Sequence, residues 1–319
     1  GGSSNSLLSA ETFLRFQVVK DGRTFRFDEP VLFSSLGDND WRSSYLIGSD
    51  LIEVAVKEFI PNPVQVMEDG PGGRPTLKVV FAGMNGREEY YLSQGETRRI
   101  REVLFSFSGV PMSGAVNIDY RGDSLLMSTG STLVRTVMAT QTTDTLPPRA
   151  EPYPLALRAM YRMGPAGFVF GDFNASGIVR MESKEVKVKN ESTVALRLEV
   201  KVNGEPHEVV VSGNKGQGGR PAMVRAGELE LAVAYGAREI ILPFSLELHD
   251  FIMERYPGTN SAASYMSVVQ LIDPREGIND ERRIFMNNIL DHDGYRFFQS
   301  SFDQDELGTY LSVNHDFWG

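Results

Sequence analysis

The feature that most constrains this fold is an alternation of apolar and polar residues that recurs along the chain. In residues 194–202, valine or leucine at every second position alternates with alanine, arginine, glutamate and lysine. Because successive side chains of a strand point to opposite faces, this pattern predicts a strand with one buried face. Residues 51–59, 76–81, 244–249 and 265–272 show related patterns. The chain is therefore predicted to be mostly β.

Two-residue turn signals join several of the predicted strands. Residues 203–204, 293–294 and 85–86 are Asn-Gly or Asp-Gly pairs, which tolerate the positive φ angles of tight β-hairpin turns. Residues 97–107 are ambiguous, because their apolar positions fit both a helix face and a strand, and a strand is favoured from residue 103. We therefore predict two β-rich lobes of sandwich or open-barrel type, with little helix.

A run of prolines indicates where the two lobes divide. Four of the 16 prolines lie within eight residues of the segment 144–154, which is typical of a linker. We therefore predict an N-terminal β lobe at residues 11–146 and a C-terminal β lobe at residues 147–319. Residues 1–10 begin with Gly-Gly-Ser-Ser. They are predicted to be a cloning remnant followed by a disordered start.

Composition excludes several classes of function. The 319 residues carry a formal net charge of −10, which argues against a nucleic-acid partner because phosphate binding needs a basic surface. The absence of cysteine excludes disulfides, thiolate metal sites and a cysteine nucleophile. No apolar run approaches the ~18 residues that a membrane-spanning helix needs.

No motif in the chain predicts an enzyme. The four histidines are His207, His249, His292 and His315. No two of them have the spacing of a metal-ligand pair, and His207 and His292 lie at hairpin turns, where we expect them to be exposed. Residues 303–314 resemble a calcium loop, but Leu307 stands where an oxygen ligand is required and Asn314 where a bidentate glutamate is required, so an acidic turn is the better interpretation. The sequence also lacks a Gly-x-Ser-x-Gly nucleophile motif. It thus predicts no catalytic residue, no metal site and no cofactor site.

The segment 283–316 is predicted to contain three short strands. In the middle strand, residues 295–300, Tyr295 and Phe297 lie on one face. Arg296 and Phe298 lie on the other face, so both faces carry an aromatic ring and the strand needs cover on both sides. The segment and its flanks could form either a binding platform or the core of a meander from their aromatic residues Tyr295, Phe297, Phe298, Phe302 and Tyr310. Their β spacing favours the core.

The same part of the chain resembles a known family. Short motifs between residues 242 and 316 occur in the order found at the end of the extracytoplasmic domain of ResB/CcsB proteins. These proteins belong to the system II machinery that attaches haem to c-type cytochromes. The family-motif residues, which are also possible partner contacts, are Asp291, Gly294, Tyr295, Phe297, Phe298, Gln299, Ser300, Ser301, Asp303 and His315. The resemblance is dense over residues 242–315 and thin before them.

The resemblance implies an assembly role and not a catalytic one. A domain of this family lies on the periplasmic face of the bacterial inner membrane between transmembrane helices, and the residues after His315 are expected to meet such a helix. It would hold apocytochrome c or support the haem-delivery site, with a CcsA-type haem-handling protein or fused domain as partner. The family's haem-ligating histidines lie elsewhere, so we expect no cofactor in this domain and haem to be handled by the full-length machine.

A second hypothesis belongs to a different class. A free-standing β-sandwich module at the cell surface, binding glycan or protein, would show the same alternation and turns. Transmembrane helices on both sides of this segment in the full reading frame would favour the first hypothesis, and their absence would favour the second.

Overall fold

A computed structural model of the chain describes residues 2–83, 86–190, 192–303 and 305–315. The described residues form strands, turns and irregular segments without a helix, so the mostly β prediction is confirmed. Accordingly, no helix among them is long and apolar enough to cross a membrane.

The described residues contain 24 strands, numbered here in chain order. They are β1 (Ser3–Lys20), β2 (Arg23–Pro30), β3 (Arg42–Ile47), β4 (Asp50–Pro61), β5 (Pro63–Gly83), β6 (Gly86–Ser93), β7 (Thr97–Ile100), β8 (Val103–Ser106), β9 (Ala115–Arg121), β10 (Ser124–Thr129), β11 (Leu133–Val137), β12 (Thr142–Leu146), β13 (Tyr153–Pro154), β14 (Ala159–Met163), β15 (Ala166–Ser183), β16 (Thr193–Val202), β17 (Glu205–Asn214), β18 (Ala222–Ala226), β19 (Leu229–Arg255), β20 (Ala262–Asp273), β21 (Ile278–Phe285), β22 (Leu290–His292), β23 (Tyr295–Phe302) and β24 (Thr309–His315).

The chain divides into two compact units, but at different positions from those predicted. One unit comprises Gly1–Pro61 together with Lys187–Gly319, and the other is Asn62–Val186. The second unit is thus inserted into the first, because the chain leaves the first unit once and later returns to it. The predicted division into residues 11–146 and 147–319 is therefore wrong.

The proline-rich segment 144–154 lies inside the second unit and is not the linker that its composition suggested. Its first residues belong to β12, which pairs with β11, and its last residues form β13, which pairs with β10. The hydroxyl of Tyr153 donates a hydrogen bond to the carbonyl of Pro147 at 2.7 Å. Proline lacks a backbone donor, so it suits the short edge strand and the turn that it occupies here.

The first unit contains a sandwich of two antiparallel sheets. One sheet has the order β2-β1-β19-β20-β21 with β18 also paired to β19, and the other has the order β17-β16-β4-β3. One buried cluster draws on both sheets, including Leu14 and Phe16 from β1, Ile52 from β4, and Leu198 from β16. Two sheets that share one apolar cluster pack face to face, each burying its inward residues. This sandwich buries the alternating residues predicted at 194–202.

A second core in the same unit lies between the far part of the long sheet and a third sheet. Strand β19 is 27 residues long, and its buried positions change from odd numbers at Leu229–Tyr235 to even numbers at Leu242 and Phe244. The change occurs between the buried Ala237 and Leu242. Nearby Gly236 has a φ of 154°, which lies outside the range that other residues favour. Beyond that point, Phe244 and its neighbours pack against the three-stranded sheet of order β22-β23-β24.

The second unit has its own two sheets and its own core. The sheets have the orders β13-β10-β9-β8-β7 and β12-β11-β14-β15-β5-β6. Strands β8 and β9 pair in parallel, whereas the other pairs in these sheets are antiparallel. Phe105, Phe168 and Phe170 are fully buried and contact one another with ring centroids 5.1 to 6.1 Å apart. These edge-to-face contacts are typical of a close-packed aromatic core.

Local turn predictions are mostly confirmed. Residues 203–204 have φ angles of 50° and 85°, and residues 293–294 have 52° and 75°, which is the geometry of the tight hairpin turn. The predicted turn at residues 85–86 lies partly outside the described residues, because Asn85 is not described. The ambiguous residues 97–107 form β7 and β8, so the strand prediction from residue 103 is confirmed.

The prediction of a disordered start at residues 1–10 is wrong for residues 3–10, and Gly1 lies outside the described residues. Strand β1 begins at Ser3, which pairs with Glu247 of β19. The side chain of Ser9 is nearly buried, and its Oγ accepts a hydrogen bond from the backbone N–H of Arg238 at 2.8 Å. Pairing with β19 therefore orders residues that carry few apolar side chains of their own.

Candidate functional site

The three-stranded sheet β22-β23-β24 carries most of the predicted family-motif residues. Its inner face is apolar, and Phe297 on β23 is only 3% exposed. The ring of Phe244 from β19 meets Tyr295 and Phe297 edge to face, with centroids 5.8 and 6.0 Å apart. The prediction that Tyr295 and Phe297 lie on one face of the strand is therefore confirmed, and both residues belong to the core on that face.

A buried polar cluster lies at the end of this sheet that holds the 293–294 turn. The side chain of Asp273, at the end of β20, is fully buried. Its Oδ1 accepts hydrogen bonds from the backbone N–H and Nε of Arg275, at 3.0 and 3.1 Å. Its Oδ2 lies 2.8 Å from a terminal nitrogen of Arg275 and 2.9 Å from Nε2 of His292. Arg275 also reaches Asp293 at 2.9 Å.

The electrostatics of this cluster follow from these contacts. Hydrogen bonds from Arg275 and then from His292 hold the pKa of the Asp273 carboxyl well below its ordinary value, although burial opposes the shift. The same partners, Asp273 first and then Asp293, raise the pKa of the Arg275 guanidinium. A buried carboxylate without such partners would be costly. The cluster therefore ties the turn after β20 to the hairpin between β22 and β23.

The structure corrects the expectation that His292 is exposed. Its side chain is only 9% exposed, and its ring meets Phe244 edge to face at 4.8 Å. His207 is also not at the surface as expected, because it is half-buried and its Nε2 is buried without a hydrogen-bond partner among the described residues. Proximity to a turn does not expose a side chain that points toward a core. His249 lies at an exposed position of β19.

Within the described ranges, one group of side chains has enough potential ligand atoms close together to hold a metal ion. Potential ligand atoms of Asp273, Glu276 and His292 lie within 4.8 Å of one another. The guanidinium of Arg275, however, already occupies both carboxylate oxygens of Asp273. A divalent cation would have to displace this guanidinium or lie beside its positive charge. These residues fit an ion-paired structural cluster better than a metal site, and the absence of a metal in this domain stays a prediction.

His315 lies at the end of β24, the edge strand opposite β22 in the same sheet. It pairs with Tyr295 across β23 and β24, and the two rings stack with centroids 4.0 Å apart. His292 also pairs with Tyr295, so the two histidines flank one tyrosine in a row across three strands. Because Nε2 of His292 is hydrogen-bonded to Asp273, this histidine does not fit a haem ligand through that atom. The prediction that this domain binds no haem remains untested.

A second polar network fixes the opposite end of the sheet. The hydroxyl of the fully buried Ser267 on β20 donates to Oε1 of Gln299 at 2.5 Å and lies 2.8 Å from Oγ1 of Thr309. The amide nitrogen of Gln299 lies 2.6 Å from the same Thr309 oxygen and donates to the carbonyl of Ser301 at 3.1 Å. Gln299 therefore joins β20, β23 and β24, which makes it a structural residue.

The outer face of the sheet is more open. Phe298 is half-buried and lies opposite the exposed Ser312. The predicted cover on this second face is therefore only partial. Asp291 pairs with Arg296 at 3.2 Å, and Ser300 is exposed. Gly294 adopts the positive φ of the hairpin turn.

The turn between β23 and β24 is held by its own contacts. The backbone N–H of Asp303 donates to the carbonyl of Gly308 at 3.0 Å. A hydrogen bond to the Asp303 carboxylate raises the pKa of the Tyr310 hydroxyl. Arg255, at the end of β19, forms an ion pair with Glu306. The family-motif residue Asp303 is therefore part of a turn, as an acidic-turn interpretation of the sequence predicts.

Sequence reasoning missed the residues that hold this module together. Asp273, Arg275 and Ser267 were not singled out, because an acidic residue before a proline looks like an ordinary turn and one serine in a strand looks like a polar-face residue. The only signal for Asp273 was its position directly after an apolar strand, before Pro274. Its partner His292 is 19 residues further along the chain.

A separate surface cavity lies within the second unit. It has a volume of about 350 Å³ and is lined by residues that include Arg74, Glu96 and Arg98. Arg74 pairs with Glu96 at 3.5 Å, and Arg98 lies over the ring of Tyr90 at 5.6 Å. Both arginines are thus engaged by their own neighbours.

Comparison with known proteins finds matches to the C-terminal part of the chain. Residues 204–316 match the ResB-like family. The chain is also 51% identical over 89 residues to Protein NrfI of Wolinella succinogenes, and this match covers 28% of the chain and 10% of NrfI. The chain therefore spans only a small part of this relative's length. The resemblance predicted from the sequence is confirmed for this part of the chain.

Proposed function

We propose, on the premise that residues 204–316 match the ResB-like family, that this chain is an extracytoplasmic domain of a protein for cytochrome c biogenesis. The single observation that carries the proposal is this match. It begins at the hairpin before β17 and ends at β24, so it includes every strand that supplies a buried residue to the second core of the first unit. The identity to Protein NrfI over 89 residues supports the same assignment.

The role that we propose is that of an assembly factor. The domain holds the apocytochrome or supports the site at which haem is delivered. Its polar groups fit this role, because Asp273, Arg275 and His292 satisfy one another and Gln299 bonds to Ser267. Sheet edges can hold an extended chain through main-chain hydrogen bonds that any sequence supplies.

The proposed setting is the periplasmic face of the bacterial inner membrane. Transmembrane helices of the same protein would anchor the domain, and a CcsA-type haem-handling protein or fused domain would be its partner. Haem itself would be bound by the full-length machine and not by this chain. His292, whose Nε2 is hydrogen-bonded to Asp273, supports this division of roles.

Deletion within the full-length protein tests the proposal. Residues 242–315, which contain the second core, are replaced by a short Gly-Ser linker in the native host. We expect the host to lose covalent haem on its c-type cytochromes, measured by haem staining of denatured proteins, while non-covalent b-type cytochromes remain. Immunoblotting for the membrane-anchored remainder shows that the shortened protein is still made. Normal staining of c-type cytochromes in the deletion strain would contradict the proposal.

The alternative is a free-standing cell-surface module that binds glycan or protein. The match of residues 204–316 does not favour it, and no contact in the described residues points to a glycan. The complete reading frame distinguishes the two, because the proposed function requires transmembrane helices around this segment.

A further inference from the structure

The edges of the five sheets differ in how they are protected from pairing with another chain. Exposed edge strands commonly carry charged residues or proline, which discourage edge-to-edge association. Strand β2 ends in Pro30, β21 holds four consecutive charged residues, and β17 contains Pro206. The edge strands β3, β6, β7, β12, β13 and β22 also each contain a charged residue or a proline.

Strand β24 is the exception among the described edge strands. It is seven residues long, from Thr309 to His315, and contains no aspartate, glutamate, lysine, arginine or proline. Within the described residues it pairs with β23 alone. The register shift in this pair occurs between Gln299 and Ser301, so the extra residue lies on β23 and β24 itself continues without a bulge. Its outer edge is therefore regular, and β24 has no charged Asp, Glu, Lys or Arg residue, no proline and no bulge that would discourage strand addition.

The surroundings of β24 indicate which kind of strand it would accept. The turn that leads into β24 contains Asp303, Asp305 and Glu306, of which only Glu306 is paired with an arginine among the described residues. Leu307 and Tyr310 are 79% and 57% exposed beside these carboxylates. Uncharged main-chain groups, exposed apolar side chains and an acidic end together fit an extended segment that is partly apolar and basic at one end.

We propose that the outer edge of β24 binds an extended, basic segment of an unfolded polypeptide by strand addition. This inference rests on the proposed function, which supplies such a partner in the form of an apocytochrome before haem attachment. The partner continues the three-stranded sheet as a fourth strand, and its basic end lies beside Asp305. Main-chain hydrogen bonds give affinity with little dependence on sequence, while the carboxylates favour basic segments.

Binding of synthetic peptides to the full 319-residue chain tests the inference. The probe is a fluorescein-labelled peptide of about ten residues that alternates valine and threonine and ends in lysines, a length typical of a strand. Two matched probes replace the lysines by glutamate or carry N-methyl groups on alternate residues, which removes main-chain donors along one edge. We expect the basic probe to bind, with weaker binding at high salt, and both matched probes to bind at least about tenfold more weakly.

Protein variants locate the binding edge. Ser312→Lys places a charge at an exposed position of β24 and should weaken binding of the basic probe by about tenfold or more. Ser44→Lys adds the same charge at an exposed position of β3, in a different sheet of the first unit, and should leave binding nearly unchanged. Asp305→Asn should reduce the salt dependence of binding. Thermal melting of each variant confirms that the fold persists.

Several outcomes would overturn the inference. Equal binding of the basic and N-methylated probes would exclude strand addition, and equal weakening by both lysine variants would exclude β24 as its location. Concentration-dependent dimerisation that Ser312→Lys abolishes would identify a second copy of the chain as the occupant. Absence of binding by any probe would also overturn it.

The inference and the proposed function can fail separately. If deletion of residues 242–315 abolishes cytochrome maturation while Ser312→Lys in the full-length protein leaves it intact, strand addition at β24 fails and the proposed function stands. If the deletion strain matures c-type cytochromes normally, the proposed function fails regardless of whether the peptides bind to the chain.

Discussion

At the scale of single residues, the most informative side chain is Asp273. It is fully buried, and both of its oxygens accept hydrogen bonds from Arg275 or His292. These partners lower the pKa of its carboxyl in the folded state from the ordinary value of 3.8. A carboxyl whose pKa is lowered by folding contributes stability above its unfolded pKa, and the contribution is lost as the pH falls through the folded pKa.

Replacement of Asp273 should therefore change stability in a pH-dependent way. We expect Asp273→Asn to unfold at lower urea concentration than the parent at pH 7. The difference between the two chains should shrink as the pH falls below about 4, where the parent's carboxyl loses its advantage. Urea unfolding at a series of pH values measures this. The control Asp291→Asn removes an exposed carboxylate bonded to Arg296 and should have little effect. If the difference in stability between the parent and Asp273→Asn did not change with pH, the stabilising role of the ionised Asp273 carboxylate would be contradicted.

Ionisation of Tyr45 should contribute to the loss of stability of the sandwich at alkaline pH. Burial, as the largest cause, raises the pKa of its hydroxyl to about 12 from an ordinary value of 10.0. A raised pKa favours the protonated form in the folded state, so stability is present below pH 10 and falls as the pH rises from about 10 to 12. Tyr45→Phe should make this fall shallower. Thermal unfolding between pH 8 and pH 12 would detect it, and identical slopes in the two chains would contradict it.

Phe297 and Phe298 are neighbours with different environments. Phe297 is 3% exposed within the second core, whereas Phe298 is half-buried on the outer face. We expect Phe297→Ala to lower the free energy of unfolding by about 3 to 5 kcal/mol, and Phe298→Ala to cost less. Urea unfolding measures both. If both variants unfolded like the parent but abolished cytochrome maturation in the full-length protein, the rings would form a binding surface and not a core.

At the scale of elements, close backbone approach explains one glycine-rich loop. The loop 213–219 packs against the backbone of β19, and a Cβ at Gly219 would lie 1.9 Å from the carbonyl oxygen of Tyr235. Residues of β17 and of the following loop form a bridge at Ser212 and Arg220. The loop is therefore closely packed against β19.

Adjacent glycines of this loop provide a matched test. Gly219→Ala should destabilise the first unit, because the contacted atom is backbone and cannot move aside as a flexible side chain could. Gly218→Ala is the control, since a Cβ there meets nothing within 4 Å and its φ is not in the left-handed region. Thermal melting should show a clearly lower midpoint for Gly219→Ala only. Equal melting of the two variants would show that the loop is not in close contact with β19.

At the scale of the whole molecule, the second unit is an insertion with adjacent ends. Pro63 at the start of β5 pairs with Ser183 at the end of β15. The backbone N–H of Lys184 donates to the carbonyl of Asn62 at 3.0 Å, and the side-chain amide of Asn62 donates to the carbonyl of Glu185 at 2.7 Å. Chain ends this close together are what tolerated domain insertions show.

The first unit should therefore fold without the second. We expect a chain in which residues 62–186 are replaced by a short Gly-Ser linker to keep a β-type circular dichroism spectrum and a cooperative thermal transition. Its own strands supply both of its cores. The separately expressed segment 62–186, with its own core, is the companion experiment. A shortened chain that melts without cooperativity would show that the first unit depends on the insertion.

The sequence by itself determined what depends on neighbouring residues. Alternation at residues 194–202 defined β16 and its buried face, and the residue pair at 293–294 defined a hairpin turn, because side-chain direction and φ preference act within a few residues. Ordered motifs near the end of the chain were enough to indicate the family. These local signals also placed Tyr295 and Phe297 on one face.

Only the tertiary structure decided which distant segments meet. The pairing of β1 with β19 and of β4 with β16 joins residues far apart in the chain, and no local pattern encodes such a pairing. For the same reason, the boundary of the inserted unit was misplaced at a proline-rich segment, and His292 was expected in solvent although Asp273 binds it in the interior. Burial of a polar residue depends on whether a partner is present, and that partner is supplied by the fold and not by the adjacent sequence.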